Sequence, residues 1–177
     1  ADDFDVAEAA SRILYAKLLN AGQTCLAPDY VMLPEGKRDA FVAAARRVVA
    51  ARYPSTDSPQ YTAVIDAKAY RRLRATLDDA HAKGAEVVPL VPDATANDVT
   101  RKLPPHLVLG ATDDMLIMRD EIFGPLLPIK TYRTLDEVIA YVNGRDRPLG
   151  LYLFTHDPGT EHRILYETIS GGVTINN

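Results

Sequence analysis

Short apolar runs alternate with longer segments of helical periodicity along the chain, and this alternation restricts the fold more than any other feature. The spacing of apolar residues predicts helices over residues 5–21, 35–52, 67–83, 134–143 and 158–169. Between them lie runs typical of buried strands: YVML, AEVVPL, HLVLG, MLIMRD, LLPIKTY, LGLYLFTHD and GGVTINN. Helices that separate such strands indicate right-handed crossovers. The sequence therefore predicts an α/β fold with a largely parallel sheet and helices on both faces.

The size and composition of the chain suit one globular domain. It has 177 residues, of which 47% are hydrophobic and 25% charged. Two polar, proline-containing loops, at 53–60 and 92–105, interrupt the pattern without resembling linkers. We therefore expect residues 1–177 to form a single domain.

Charge and hydropathy argue against two classes of partner. The net charge is −4, and 20 basic residues are interleaved with 24 acidic ones, so no nucleic-acid partner is expected. No apolar run approaches the roughly 20 residues that a membrane helix needs. The start, ADDFDVAEAA, lacks the features of a signal peptide. A single cysteine excludes an intrachain disulfide and fits a reducing compartment, so a cytoplasmic location is expected.

The only cysteine, Cys25, lies in a connector between a predicted helix and a predicted strand. A lone cysteine is often a buried structural residue. The connector NAGQTCLAPDY, however, offers Gly22 three residues before the thiol and polar neighbours around it. Such a segment lets backbone approach a substrate and supplies amide donors to a developing oxyanion. Cys25 is therefore a candidate nucleophile, with the buried structural thiol as the alternative.

The stretch RDEIFGPLLPI contains a second candidate site. A turn at Gly124-Pro125 leading into a strand would explain most of it. It does not explain Glu121, an acid two residues before the aromatic Phe123. A carboxylate can accept two sugar hydroxyls and a phenyl face can support a flat heterocycle, so this pair would suit a nucleoside.

No metal site or phosphate-binding loop is predicted. The four histidines, at positions 81, 106, 156 and 162, have no metal-ligand spacing, and one cysteine cannot form a cysteine-rich zinc site. GxGxxG and GxxxxGK[ST] motifs are absent. A hydrolase that pairs Cys25 with one of these histidines stays open, although nothing in the spacing supports it.

Four segments in this order, GQTCLAPDY, EIFGPLLPI, RPLGLYLFTHD and SGGVTINN, resemble the aldehyde dehydrogenase superfamily. The resemblance covers almost the whole chain and is greatest for class-3-type members, coniferyl aldehyde dehydrogenases in particular. It implies that Cys25 is the catalytic nucleophile, which forms a thiohemiacetal and then a thioester with an aldehyde. It also implies that Glu121 binds the ribose of the nicotinamide half of NAD or NADP, and that Phe123 packs against that end of the cofactor.

The resemblance further implies a small hydrophobic or aromatic aldehyde as substrate and a homo-oligomeric parent enzyme. Nothing in residues 1–177 resembles the family's N-terminal dinucleotide-binding domain, its ELGG segment with the general-base glutamate, or its C-terminal tail. We therefore expect a single catalytic domain that by itself binds no cofactor and has no activity, with Cys25 accessible. The alternatives are a non-catalytic interaction module that keeps the fold and, with less support, the cysteine hydrolase.

Overall fold

The computed structural model describes all 177 residues. It contains six α-helices and six strands, and these alternate for most of the chain. The helices are α1 (Val6–Leu18), α2 (Arg38–Arg52), α3 (Ala67–Ala82), α4 (Leu116–Arg119), α5 (Leu135–Asn143) and α6 (Pro158–Glu167). The strands are β1 (Val31–Pro34), β2 (Glu86–Pro89), β3 (His106–Leu109), β4 (Leu126–Tyr132), β5 (Leu151–Leu153) and β6 (Val173–Ile175).

The strands form one four-stranded sheet and one two-stranded sheet. The larger sheet has the order β1-β4-β3-β2, in which β4 runs parallel to both β1 and β3 while β2 is antiparallel to β3. Strands β5 and β6 pair in parallel in the smaller sheet. The predicted α/β class with a largely parallel sheet is confirmed, with one antiparallel edge strand and a separate strand pair.

Helices cover both faces of the larger sheet. Leu107 and Leu109 of β3 face a core shared with α1 and α2, in which Leu14 and Phe41 are buried. Val108, between them, faces a second core that includes α3 and α4. Successive side chains of a strand point to opposite faces, so uninterrupted apolar runs are what a doubly covered sheet requires.

One predicted element was wrong, and several boundaries differ. The run MLIMRD was expected to be a strand, but Leu116–Arg119 forms the short helix α4. Its first N–H, from Leu116, donates to the carboxylate of Asp79 in α3 at 2.8 Å, and Ile117 and Met118 are buried against that helix. Four apolar residues carry too little periodicity to distinguish a helical turn from a strand, so this tertiary contact decided the conformation.

Two helix boundaries differ from the predicted ones because the backbone turns at residues with positive φ. Helix α1 ends at Leu18, followed by a 3₁₀ turn, Leu19–Gly22, in which Asn20 and Ala21 have φ of 52° and 54°. Helix α2 begins at Arg38, not at residue 35, because the chain first turns through Gly36 at φ +91°.

None of the helices combines the length and apolarity needed to cross a bilayer.

Candidate active site

The connector that carries Cys25 is held rigidly from its N-terminal side. The Gln23 side chain is 9% exposed, and its amide nitrogen donates to the carbonyls of Asn20 and Ala63, each at 3.0 Å. Its amide oxygen accepts from the N–H of Ile65 at 2.8 Å. Two of these hydrogen bonds therefore fix the residue two positions before Cys25 to the loop that precedes α3, and the third closes the turn within the connector.

Cys25 itself lies in a tight turn at the surface. The N–H of Ala27 donates to the carbonyl of Thr24 at 3.0 Å, and Cys25, between them, is exposed. Its own N–H makes no hydrogen bond with another protein group. The interpretation of Cys25 as a buried structural thiol is therefore wrong, and the expectation of an accessible thiol is confirmed.

The backbone of the second motif contacts this connector directly. Gly22 has φ +75°, and a Cβ there would lie 2.2 Å from the carbonyl oxygen of Gly124. A Cβ at Gly124 would in turn lie 2.4 Å from Leu73 of α3. Real Cβ contacts are never this short. Gly22 therefore requires glycine, because its neighbour is backbone, whereas a Cβ at Gly124 would force the Leu73 side chain to move. Close approach at these two glycines brings the Cys25 connector against the turn that follows Glu121.

Helix α3 also fixes the conformation of that turn. The guanidinium of Arg72 donates to the carbonyl of Glu121 at 3.3 Å and to that of Ile122 at 2.6 Å. Phe123 follows with φ 45°, a left-handed conformation that is uncommon for a residue with a Cβ. Its ring is 37% exposed, and the Glu121 side chain is exposed as well.

Cys25 and Glu121 line the same cavity, of about 880 Å³, whose wall includes β1 of the larger sheet and β5 of the smaller one. Phe123 is not among its lining residues and lies beside it on the same turn. The cavity wall is mostly apolar, and the smaller sheet closes one side, where the Tyr152 hydroxyl donates to the carbonyl of Leu26 at 2.9 Å. Two of the three predicted site residues therefore meet in one cavity, and the third borders it.

A buried charge beneath the cavity was missed by the sequence analysis. Lys17 is 1% exposed, and its ammonium nitrogen lies 3.9 Å from a carboxylate oxygen of Asp29. Burial lowers the pKa of Lys17 to about 8, while Asp29 and Glu121 act in the opposite direction. Sequence analysis assigned the Lys17 stem to the apolar face of α1. Its position four residues after Ile13, on that buried face, was the signal that a charge would be enclosed.

The histidines lie elsewhere. None of them lines the cavity that contains Cys25. His106 is held by the carbonyl of Pro104, 2.7 Å from its Nδ1, and burial lowers its pKa. His156 stacks on Phe4, and His162 packs against Tyr166. A cysteine hydrolase needs a base within hydrogen-bond reach of the thiol, so this alternative loses its support.

Known proteins of similar sequence come from one family. The aldehyde dehydrogenase family model matches residues 1–177. The coniferyl aldehyde dehydrogenase of Pseudomonas sp. strain HR199 is 49% identical over 176 residues, which are 98% of this chain and 37% of that protein. The chain thus spans little more than a third of this relative.

Solved structures show the same fold. A substrate-bound AldH of Staphylococcus aureus superposes with a TM-score of 0.91 at 35% identity, covering all of this chain and 38% of the other. An NADP-dependent glyceraldehyde-3-phosphate dehydrogenase from Bacillus halodurans, complexed with NADP, gives a TM-score of 0.86 at 29% identity, over 99% of this chain and 36% of the other. By its sequence from end to end and by its fold, this chain belongs to the aldehyde dehydrogenase family.

Proposed function

We propose that these residues form the catalytic domain of an NAD(P)-dependent aldehyde dehydrogenase, with Cys25 as its nucleophile. The observation that carries the proposal is that the exposed thiol and the Glu121 carboxylate line one cavity. They lie almost 100 residues apart in the sequence, and close backbone contact at Gly22 and Gly124 brings their segments together.

The geometry around Cys25 suits addition to a carbonyl. The thiolate attacks the aldehyde carbon, a C–S bond forms, and the carbonyl electron pair moves to oxygen to give a thiohemiacetal anion. The N–H of Cys25 has no other protein acceptor, so it is available to this oxyanion. After oxidation the carbon is a thioester, and water displaces the thiolate to release the carboxylic acid.

The exposed side of the turn fits the nicotinamide end of a dinucleotide. The Glu121 carboxylate can accept two ribose hydroxyls, and the exposed ring of Phe123 offers an apolar face to a flat heterocycle. When bound, NAD or NADP supplies the hydride acceptor for the oxidation. The NADP complex of the Bacillus halodurans relative supports a dinucleotide in this fold.

The cavity favours hydrophobic or aromatic aldehydes. Its wall includes Leu26, Ile117, Val142 and Leu149, and apolar side chains predominate. An apolar wall gains free energy mainly from burying apolar substrate surface. The name of the Pseudomonas relative, coniferyl aldehyde dehydrogenase, supports an aryl-substituted aldehyde.

The test is replacement of Cys25 in the complete protein. Cys25→Ala should lower kcat for NAD(P)-dependent aldehyde oxidation by at least about 10³-fold. Thermal unfolding should stay close to that of the wild type, because the side chain is exposed. As a control, Thr24→Ser keeps a side-chain hydroxyl next to Cys25, and this variant should keep most of the activity. Persistent turnover in Cys25→Ala, or a wild type without turnover, would contradict the proposal and favour a binding module.

The polypeptide of residues 1–177 alone provides a second test. Iodoacetamide should label it at Cys25, as shown by peptide mass mapping, because the thiol is exposed in this fold. We expect no aldehyde oxidation by this polypeptide. A native thiol that reacts no faster than a buried one would count against the assignment.

A further inference from the structure

The ammonium group of Lys17 is the one buried side-chain nitrogen or oxygen in the structure without a hydrogen-bond partner. Buried polar groups are almost always hydrogen-bonded, because an unpaired one loses its interactions with water without replacement. A lysine at an inner position of α1 could be replaced by an apolar residue with no such loss. Packing alone therefore does not explain why a charged residue occupies this buried position.

The charged groups that act on Lys17 or on Asp29 come from three segments, two of which line the cavity. Asp29, four residues after Cys25, lies 3.9 Å away, and its side chain is 40% exposed toward the cavity it lines. Glu121, on the turn, is near enough to stabilise the charged form of Lys17. Arg72, on α3, lowers the pKa of Asp29 by its positive charge.

The two carboxylates oppose one another in the absence of a cation. Burial raises the pKa of Asp29, Lys17 lowers it, the backbone of Ile122 lowers it, and Glu121 raises it. Like charges at a partly buried site repel more strongly than in water. Lys17, in α1, interacts electrostatically with both acids. Arg72 also lowers the pKa of Asp29, but it is held by the backbone carbonyls of Glu121 and Ile122.

We propose that Lys17 is a positioning residue for the cavity: its buried ammonium is the shared counter-ion that keeps Asp29 and Glu121 close together. This inference rests on the proposed function, in which Glu121 holds the cofactor ribose. Without the ammonium, repulsion between the two acids moves the Glu121 turn away from the Cys25 connector. Lys17 does not contact the reacting atoms, so its effect passes through the two carboxylates.

The kinetic test uses Lys17→Met in the complete protein, because methionine has nearly the same length and no charge. We expect KM for the nicotinamide cofactor to rise by about 10-fold or more, with a smaller change in kcat, since the displaced carboxylate serves binding. Lys68→Met is the matched control: Lys68 is exposed on α3, forms no ion pair, and should leave KM unchanged. An unchanged cofactor KM in a folded Lys17→Met protein would overturn the proposal.

A second substitution separates a counter-ion from a packing role. Asp29→Asn removes one of the repelling charges and keeps an oxygen acceptor in place. Added to Lys17→Met, it should lower the cofactor KM back toward the wild-type value, a non-additive result characteristic of coupled residues. A packing role gives the opposite result, in which the double variant is no better than Lys17→Met. That outcome would reject the counter-ion role of Lys17.

Alkylation of Cys25 keeps this test independent of the enzymatic assay. If the turn moves away from the connector, iodoacetamide should label Cys25 in Lys17→Met at a rate changed by at least about threefold, and Asp29→Asn should reverse the change. A wild type that oxidises no aldehyde, together with this alkylation pattern, would reject the proposed function and keep the counter-ion. Equal alkylation rates in all variants would reject the counter-ion even if the enzyme is active.

Discussion

At Gly22 the connector that carries Cys25 packs against the turn that follows Glu121, so a substitution at this residue tests the contact between them. Gly22→Ala would place a Cβ 2.2 Å from the carbonyl oxygen of Gly124 while keeping φ at +75°. Gly36→Ala is the matched control, because Gly36 has φ +91° and nothing within 4 Å of an added Cβ. We expect Gly36→Ala to lower the free energy of unfolding by about 1–2 kcal/mol. Gly22→Ala should cost about 2 kcal/mol more, because a backbone clash is added. Equal losses in urea denaturation would show that the contact is unimportant.

Lys17 should also determine how stability depends on pH. Its pKa is about 8 in the folded protein, below the ordinary value of 10.5. Between these values the unfolded chain binds more protons, so the free energy of unfolding should rise as pH increases from 8 to 10.5. Lys17→Met lacks this gain, which amounts to roughly 3 kcal/mol for the wild type. Urea denaturation of both proteins across this interval tests it, and parallel profiles would contradict it.

At the scale of secondary structure elements, α3 carries the group that fixes the Glu121 turn. Arg72→Met removes the donors to the carbonyls of Glu121 and Ile122. Hydrogen bonds from charged groups contribute about 1.5–3 kcal/mol each, so we expect a clear loss of stability and a higher cofactor KM in the complete protein. Arg71→Met, one residue earlier and exposed with no side-chain hydrogen bond, is the control and should change neither. Equal effects of the two substitutions would show that Arg72 has no specific role in fixing the Glu121 turn.

Predictability from sequence also differs between elements. Helices α1, α3 and α5 could be located from their apolar periodicity, and strand β4 from its continuous apolar run. Helix α4 could not, because Leu116–Arg119 is a single turn whose conformation depends on Asp79 of another helix. In the same way, local motifs identified Cys25 and Glu121 as candidates, whereas Lys17 depends on contacts between distant segments, which no local pattern contains.

At the scale of the whole molecule, the cavity is assembled from parts of both sheets. The larger sheet and α1 position the Cys25 connector, and β5 of the smaller sheet forms part of the cavity wall. The smaller sheet is attached to the first residues of the chain as well: the Asp3 carboxylate accepts from the Thr155 hydroxyl at 3.0 Å, and from the N–H of His156. The position of the smaller sheet therefore determines the shape of the site beside the nucleophile.

Tyr152 of β5 links the smaller sheet to the residue after Cys25, since its hydroxyl donates to the carbonyl of Leu26 at 2.9 Å. Tyr152→Phe should lower the free energy of unfolding by about 1 kcal/mol. It should also increase iodoacetamide labelling of Cys25 by roughly twofold to tenfold, because local opening at Leu26 becomes easier. The matched control is Tyr166→Phe on α6, where the side chain is 77% exposed and the hydroxyl makes no hydrogen bond. If labelling rates respond equally to both substitutions, the wall formed by β5 does not restrain the Cys25 turn, and the two sheets act independently at the cavity.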